Sequence, residues 1–207
     1  MQEFLSSIQG QLLAVAVIVA LLVLIFKTTK KEKRNHVKAM TYSAIGIAIA
    51  FILNTFVVFK MPQAGSATLF SMLVIVLIGY WFGPSTGIMA GVAFGILNML
   101  YAPFVVHPIQ FLLDYPLAFG MLGISGFFGK MKNGLQWGYL AAVFGRYLCH
   151  VLSGIIFFAE YAGEANAVLY SLAYNATYLA IEATITFALL WVPVIRGAFQ
   201  RIKTSIA

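Results

Sequence analysis

The amino-acid sequence predicts an all-α integral membrane protein, and its composition and the length of its apolar runs carry that prediction. Of the 207 residues, 62% are hydrophobic and only 9% are charged, and the mean hydropathy is +0.94. A soluble globular domain carries about 25% charged residues. Each apolar run reaches or approaches the roughly 20 residues that a helix needs to cross a bilayer. A soluble fold is therefore excluded.

Seven segments are predicted to be helices, at 9–26, 38–59, 66–82, 86–106, 109–129, 135–158 and 167–194. Their apolar runs are continuous, whereas the strands of a membrane β-barrel alternate apolar and polar residues over about 10 positions. The first segment is followed by basic residues rather than preceded by them, and no A-x-A-like cleavage site closes it. We therefore expect it to be retained as a helix and not removed as a signal peptide.

The net charge of +7 comes from basic residues that flank the predicted helices. With seven helices these clusters fall on one side of the membrane, so the positive-inside rule places them and the C-terminus in the cytoplasm and the N-terminus outside. Such charges hold orientation and touch anionic lipid, so they do not indicate a nucleic-acid partner. The three clusters are Lys27, Lys30, Lys31, Lys33, Arg34 and Lys38; Lys130 and Lys132; and Arg196, Arg201 and Lys203.

Four ionisable residues, Asp114, Arg146, His150 and Glu160, lie in or beside segments otherwise apolar enough to cross the membrane. Each such group costs roughly 2.5 kcal/mol or more at that depth unless it is paired or lines a polar cavity. Two interpretations stay open. The first is a structural ion-pair network, to which we assign Arg146 and Glu182, with Asp114 as the alternative acid. The second is a ligand site.

The surroundings of these residues favour the ligand site. Arg146 and His150 are four residues apart and share a helix face. Pro116 is predicted to bend its helix and free carbonyls beside Asp114, either for a cavity or as a plain kink. Aromatic side chains at the same depth offer faces to a flat or cationic ligand, and Asn175 can both donate and accept hydrogen bonds. These aromatic residues are Tyr115, Phe157, Phe158, Tyr170 and Tyr174.

Small residues recur at a spacing of four on two predicted helices. Gly87, Gly91 and Gly95 form one ladder, and Ala44 and Ala48 form another. In lipid such ladders allow helices to approach closely. Each ladder is interpreted either as packing inside one bundle or as a surface for a partner helix.

Four blocks of the chain resemble the thiamine-specific substrate-binding components (S components) of energy-coupling factor (ECF) transporters, the ThiT/YuaJ family. The blocks read MPQAGS from Met61, HPIQFLLDYPLAF from His107, GRYLCHVLSG from Gly145 and YSLAYNATY from Tyr170. The resemblance extends over residues 38–195, in the order and spacing of the family. It implies an all-α fold in which a six-helix S-component core, within residues 38–207, is the substrate-binding domain. Residues 1–37 would then be one extra N-terminal transmembrane helix and a basic cytoplasmic linker.

The resemblance also implies roles for individual residues. Asp114 matches the acidic residue that would meet the aminopyrimidine of thiamine or balance its thiazolium charge. The other matched positions would contact the ligand through polar groups, ring stacking or an amide that reads the pyrimidine, and they are Tyr115, His150, Phe158, Tyr170 and Asn175. On the first core helix, the face with Ala44 and Ala48 would contact the transmembrane coupling subunit.

The predicted function is therefore that of an ECF-type vitamin uptake subunit in a prokaryotic cell membrane. It would bind thiamine at an outward-facing site and dock on a coupling module that contains separate ATPases, because this chain has no GxxxxGK[ST] loop. No catalytic residue, cofactor or metal is predicted; Cys149 is the single cysteine. The alternatives are an S component for a thiamine precursor or another vitamin, and an intramembrane enzyme that uses His150, Asp114 and Glu182.

Overall fold

The computed structural model describes residues 36–206 and, in the N-terminal segment, residues 7–10, 12, 13, 16, 17, 19, 20 and 23. The prediction of an extra helix over 9–26 and a linker to residue 37 therefore lies mostly outside the described residues. Within residues 36–206 the chain forms a helical bundle with one short β-hairpin. The elements are α1 (His36–Thr55), β1 (Val57–Lys60), β2 (Ser66–Thr68), α2 (Ser71–Phe82), α3 (Pro84–Tyr101), α4 (Pro108–Phe128), α5 (Gly134–Phe157), α6 (Ala167–Leu190) and α7 (Pro193–Ile206).

Four of these helices, α1, α3, α4 and α5, are long and apolar enough to cross a membrane. The pair α6 and α7 qualifies as a fifth span, although the two helices are bent by 83° relative to each other. Helix α2 has only 12 residues, but ten of them are buried. A helix that is apolar all round belongs in the core of a protein. The short helix α2 thus lies at the centre of the bundle, with its neighbours between it and the lipid.

A β-hairpin replaces helical structure that the sequence predicts at the end of 38–59 and the start of 66–82. Helix α1 ends at Thr55, and β1 pairs with β2 in antiparallel register, with Lys60 opposite Ser66. The helical predictions for 56–59 and 66–70 are therefore wrong. Hydropathy alone cannot distinguish a helix from a strand here, because a Val-Val-Phe run is apolar in both. The β-branched and aromatic side chains of the run favour a strand.

The turn of this hairpin contains two consecutive residues with positive φ, Gln63 (53°) and Ala64 (65°). The amide of Met61 donates to the carbonyl of Gly65 (2.7 Å) and closes the turn. The turn is held to the bundle by the hydroxyl of Tyr174, which accepts from the amide of Gly65.

Helix α4 changes its winding around Pro116, the residue at which the sequence analysis predicts a bend. Residues Leu113–Leu117 form a π-helical turn that contains Asp114 and Pro116, and the helix tightens to a 3₁₀ form over Met121–Phe128. Proline has no amide hydrogen to donate to the preceding turn, so the backbone hydrogen bonds of the helix must rearrange around it. The widened turn lies next to the cavity described below.

Helix α7 is an amphipathic helix that the sequence analysis did not predict. It begins at Pro193, a favourable residue for a first helical turn. Trp81 Nε1 donates to the carbonyl of Phe199 (3.2 Å), and Lys203 Nζ donates to the carbonyl of Gly129. These contacts fix α7 against the C-terminal ends of α2 and α4.

The glycine ladder of α3 serves internal packing. A Cβ atom built on Gly91 would lie 2.2 Å from the carbonyl oxygen of Phe119, and one on Gly95 would lie 2.5 Å from that of Tyr115. Both contacts are with the backbone of α4, which cannot move aside as a side chain can. The ladder therefore sets the distance between α3 and α4.

Gly91→Ala is expected to destabilise the protein by about 3 kcal/mol or more, because overpacking against backbone cannot relax. The matched control is Gly197→Ala on α7, where no atom lies within 4 Å of the added Cβ. Thermal melting of the detergent-solubilised variants should show a large loss for Gly91→Ala and no loss for Gly197→Ala. Equal melting temperatures for the two variants would contradict the packing role of Gly91.

Candidate functional site

One cavity of about 470 Å³ opens at the hairpin end of the bundle. Its wall includes residues from the hairpin, from the C-terminal ends of α1 and α3, and from α4, α5 and α6. Cavities that bind small molecules measure about 300–1,000 Å³. The size is therefore that of a site for a small organic ligand.

The six residues predicted to contact a ligand all line this cavity: Asp114, Tyr115, His150, Phe158, Tyr170 and Asn175. Arg146 and Glu182 line it as well. Ala44 and Ala48 are on α1 and take no part in its wall. Glu160 lies in the exposed turn after α5 and does not line the cavity.

Asp114 accepts three hydrogen bonds from protein groups. Its Oδ2 accepts from Gln110 Nε2 (2.7 Å) and from Ser153 Oγ (2.8 Å), and its Oδ1 accepts from His150 Nδ1 (2.9 Å). A carboxylate has about four acceptor positions, so at most one remains for a ligand. Asp114 therefore offers a ligand its fixed negative charge more than its hydrogen bonds.

A chain of hydrogen bonds continues from Asp114 through His150 to Arg146. Arg146 Nε donates to His150 Nε2 (3.2 Å). Since that imidazole nitrogen accepts, the ring proton is on Nδ1, and Nδ1 donates to Asp114. The Arg146 guanidinium also lies over the ring of Phe119, 4.0 Å from its centroid. The arginine is thus held by a histidine and an aromatic face, and His150 is neutral.

The predicted ion pair between Arg146 and Glu182 is not formed. The two side chains, both in the described part of the chain, are not within 4.0 Å of each other as an ion pair. Glu182 instead accepts from the amide of Met72 (3.0 Å) and from Thr68 Oγ1 (2.9 Å). Met72 lies in the first turn of α2, whose own cap residue, Phe70, offers no side-chain acceptor. Glu182 therefore caps α2 from the neighbouring helix, because a carboxylate is stabilised at a helix N-terminus.

Asn175 is held by its own helix and by Tyr178. Its Nδ2 donates to the carbonyl of Ser171 (2.9 Å), and its Oδ1 accepts from the hydroxyl of Tyr178 (2.9 Å). The side chain is 5% exposed. The position of the amide is thus fixed before any ligand arrives, with one acceptor lone pair left over.

Aromatic rings form two stacked pairs on the cavity wall. Phe158 stacks on Phe104 with ring centroids 5.9 Å apart, and Tyr170 stacks on Tyr174 at the same distance. The hydroxyl of Tyr174 accepts from the amide of Gly65 (3.1 Å) and donates to the carbonyl of Pro62. Tyr174 therefore ties the hairpin turn to α6.

Tyr115 fixes the loop between α3 and α4. Its hydroxyl accepts from the amide of Phe104 (3.0 Å), and Gln110 Nε2 donates to the carbonyl of the same residue (3.1 Å). The predicted role of Tyr115 as a direct ligand contact is thus accompanied by a structural one. The loop in turn places Phe104 against Phe158.

The sequence analysis gave no role to several polar residues of the cavity wall, among them Asn54, Lys60, Gln63, Asn98, Gln110 and Ser153. Asn54 and Asn98 were recognisable, because each is an amide within an apolar helical segment and polar groups there are costly. Lys60 and Gln63 reach the cavity only because the chain forms a hairpin after α1. In the described part of the chain, no group of three or more His, Cys, Asp or Glu residues could hold a metal ion.

The thiamine transporter protein family (Thia_YuaJ) matches residues 40–200 of the chain. The chain belongs to this family. The match runs from α1 into α7 and includes every residue of the cavity wall. The predicted resemblance is confirmed, and the chain is a transporter-family protein, not an enzyme.

Two relatives of the chain are named thiamine transporter ThiT. Thiamine transporter ThiT of Bacillus subtilis (strain 168) is 38% identical over 153 residues, which cover 66% of this chain and 79% of that protein. Thiamine transporter ThiT of Lacticaseibacillus paracasei is 27% identical over 121 residues, covering 50% and 60% respectively.

A solved structure of ThiT from Listeria monocytogenes has the same fold. It matches with a TM-score of 0.64 at 21% sequence identity and covers 77% of this chain and 97% of that one. The predicted fold class, an all-α integral membrane protein, is confirmed. The chain is a multi-pass membrane protein.

Proposed function

We propose that the chain is the substrate-binding subunit of an ECF-type vitamin uptake transporter and that it binds thiamine in the cavity at the hairpin end. The observation that carries the proposal is this cavity, in which fixed charges and aromatic faces meet. Membership of the thiamine transporter family and relatives named thiamine transporter support it.

The charges of the cavity wall suit a monovalent cation. Deep in the cavity, Asp114 and Glu182 are carboxylates and Arg146 is a guanidinium, while His150 is held neutral by its hydrogen bonds. Counted with these charges, the floor of the cavity formed by these four side chains has a net charge of −1. Thiamine carries one permanent positive charge on its thiazolium ring, so it would neutralise the floor.

The aromatic faces suit the two flat rings of thiamine. Phe158 and Tyr170 each present a ring that already stacks on a neighbour, and a cation over such a face gains about 0.5–2 kcal/mol. In the described residues the hydroxyl of Tyr170 has no hydrogen-bond partner, so it can serve the ligand. We assign Tyr115, Asn175 and His150 to the polar groups of the aminopyrimidine.

We further propose that the face of α1 with Ala44 and Ala48 docks on the transmembrane coupling subunit. Both alanines are exposed, whereas Gly46 and Ala50, on the next strip of α1, are buried. A Cβ on Gly46 would lie 2.9 Å from Ile78 Cδ1, so that strip packs on α2. A small-residue strip that faces away from its own bundle is available to a partner helix.

The orientation follows from the charges. The basic residues after α4 and in α7 lie at the end of the bundle opposite the cavity, and the positive-inside rule assigns that end to the cytoplasm. The cavity would then open outward, with the C-terminus inside and the N-terminus outside. Residues 1–37 would add one transmembrane helix and a cytoplasmic linker to the binding domain.

Purified full-length protein is expected to bind thiamine with a 1:1 stoichiometry, because one cavity of this kind lies within residues 36–206. Isothermal titration calorimetry in detergent checks this, with riboflavin and biotin as ligands that differ in charge and shape. Binding of another vitamin or of a thiamine precursor in place of thiamine would correct the substrate. Absence of binding to any of them would contradict the assignment of this cavity.

A further inference from the structure

The β-hairpin presents apolar side chains outside the cavity that it helps to form. Strand β1 reads Val57-Val58-Phe59-Lys60, and all four residues are exposed. Side chains of a regular strand alternate between two faces, but the pairing of β1 with β2 is irregular between Val57 and Phe59. Val57 and Lys60 line the cavity, and Val58 and Phe59 do not. Two adjacent apolar side chains are therefore exposed away from the cavity.

This apolar surface continues a stripe of exposed residues on α1. The stripe consists of Ile45, Ile49, Ile52 and Phe56, which are between 46% and 57% exposed. Residues spaced by three and four share one face of a helix. The first three lie in α1, and Phe56 directly follows its last residue, Thr55. Because α1 is long and apolar enough to cross the membrane, this stripe faces lipid and leads to the hairpin.

The length of α1 places the start of β1 at the boundary of the hydrocarbon layer. Lys38 and Lys60 enclose 21 residues without a charged side chain. The 17 residues from Ala39 to Thr55 are helical, and they rise about 25 Å at 1.5 Å per residue. A hydrocarbon core of roughly 30 Å that begins at Ala39 then extends about 5 Å beyond the end of α1. The first residues of the hairpin lie within that distance.

The backbone of the hairpin requires an interfacial position. The described residues form a sheet of two strands, so one edge of each strand has no neighbouring strand, and such an edge is not stable inside hydrocarbon. At the interface, water and headgroups reach the backbone while apolar side chains insert about 5–10 Å toward the acyl chains. Lys60 follows the apolar pair, and a lysine at this level extends its ammonium group to the headgroups.

The loop between α3 and α4 has the same character. Val105 and Val106 are exposed and do not line the cavity, whereas Phe104 of the same loop does. The rings of Phe51 and Tyr101 are in contact (5.3 Å), which brings the ends of α1 and α3 together. The hairpin and this loop therefore both border the cavity and both expose apolar side chains away from it. Exposed apolar patches of this kind mark surfaces for a partner or a membrane.

We propose that the hairpin and the α3–α4 loop are inserted into the bilayer interface and that the partner of their apolar side chains is lipid. Val58 and Phe59 contact the acyl chains, and the backbone of β1 stays at the level of the headgroups. The cavity then opens at that level, and lipid supports the wall to which Val57 and Lys60 belong. The inference holds for any ligand of the cavity, so it does not depend on thiamine binding.

Spin labels on single cysteines test this position. The single cysteine, Cys149, is buried and is replaced by alanine in the full-length protein. Labels introduced by Val58→Cys and Phe59→Cys, in lipid nanodiscs, should collide more with oxygen, which concentrates among acyl chains, than with a water-soluble nickel chelate. Ile52→Cys on α1 is the lipid reference, and Glu164→Cys in the exposed turn after α5 is the aqueous reference. The ratio of oxygen to nickel collisions at both hairpin positions should be close to that at Ile52.

Bilayer thickness provides a second measurement. Lipids with shorter acyl chains lower the hydrocarbon boundary relative to the protein. The ratio at Val58 should therefore fall in the thinner bilayer. A label introduced by Ile45→Cys, in the middle of α1, should keep its ratio. A position that is covered by protein would not respond to the length of the lipid.

Three results would overturn the inference. A ratio at Val58 and Phe59 equal to that at Glu164 would place the hairpin in water. Low accessibility to both reagents would mean that protein, such as a second copy of the chain, covers this surface. A ratio that does not change with bilayer thickness would contradict a position at the boundary. Thermal melting confirms that each labelled variant is folded, and Val105→Cys on the neighbouring loop replaces any hairpin variant that is not.

Discussion

Ala44→Trp is expected to abolish thiamine uptake while leaving thiamine binding unchanged. The indole would project from the exposed strip of α1 and hold a partner helix away by several ångströms, and helix association in lipid depends on close approach. Ala44 lies on α1 outside the cavity wall, so the binding residues are not disturbed. Ala48→Trp, one turn further along, should behave in the same way. Uptake of labelled thiamine into cells that supply the coupling module measures the first effect, and calorimetry of the purified variants measures the second.

The matched control is Leu148→Trp, which adds the same ring to another exposed position on a membrane-spanning helix. It should retain both uptake and binding. Normal uptake by the Ala44 and Ala48 variants would mean that this strip is not the docking surface. Loss of binding as well as uptake would mean that the strip is needed for the fold of the chain.

Asp114→Asn is expected to weaken thiamine binding by about 1.5–3 kcal/mol, the contribution of a hydrogen bond to a charged group. The change removes the negative charge that would face the thiazolium ring in the proposed complex. It also turns an acceptor into a donor in a site where Gln110, Ser153 and His150 all donate. At least one of these donors must lose its partner. Calorimetry measures the loss of affinity, and thermal melting measures the cost to the fold.

Two comparisons identify the charge as the cause. Glu160→Gln removes an exposed carboxylate outside the cavity and should leave the affinity unchanged. The second comparison uses an analogue of thiamine with a neutral aromatic ring in place of the thiazolium. Asp114→Asn should weaken the binding of this analogue much less than it weakens the binding of thiamine. If the neutral analogue loses as much affinity as thiamine, the aspartate acts by positioning its neighbours and not by its charge.

The sequence by itself determined the class of the protein and the residues that gather at one depth. An apolar run of about 20 residues can hide its backbone from lipid only as a helix, so composition and length are enough to predict a helical membrane protein. An ionisable group in such a run must be paired or face a cavity. For that reason Asp114, Arg146 and His150 were recognisable as a group, although their roles in binding stay a prediction.

The tertiary structure decided which partner each of these groups has. Glu182 and Arg146 have opposite charges, and the sequence indicates that they attract each other. Thr68 at the end of β2 and the amide of Met72 at the start of α2 offer Glu182 two donors that the sequence does not reveal, because they depend on how β2 and α2 meet. Partner choice among buried groups depends on distances of a few ångströms, and spacing along the chain does not specify these between different helices.

The structure also decided where the apolar segments stop being helical and which face of a helix is exposed. The run after Thr55 is apolar in a helix or a strand, and the antiparallel pairing with β2 decides for the strand. That pairing places Lys60 in the wall of the cavity. On α1 the strips of Ala44 and of Gly46 look alike in sequence, and the packing of Gly46 against Ile78 and Val74 of α2 assigns it to the interior. These features depend on contacts between segments far apart in the chain, so the local sequence does not determine them.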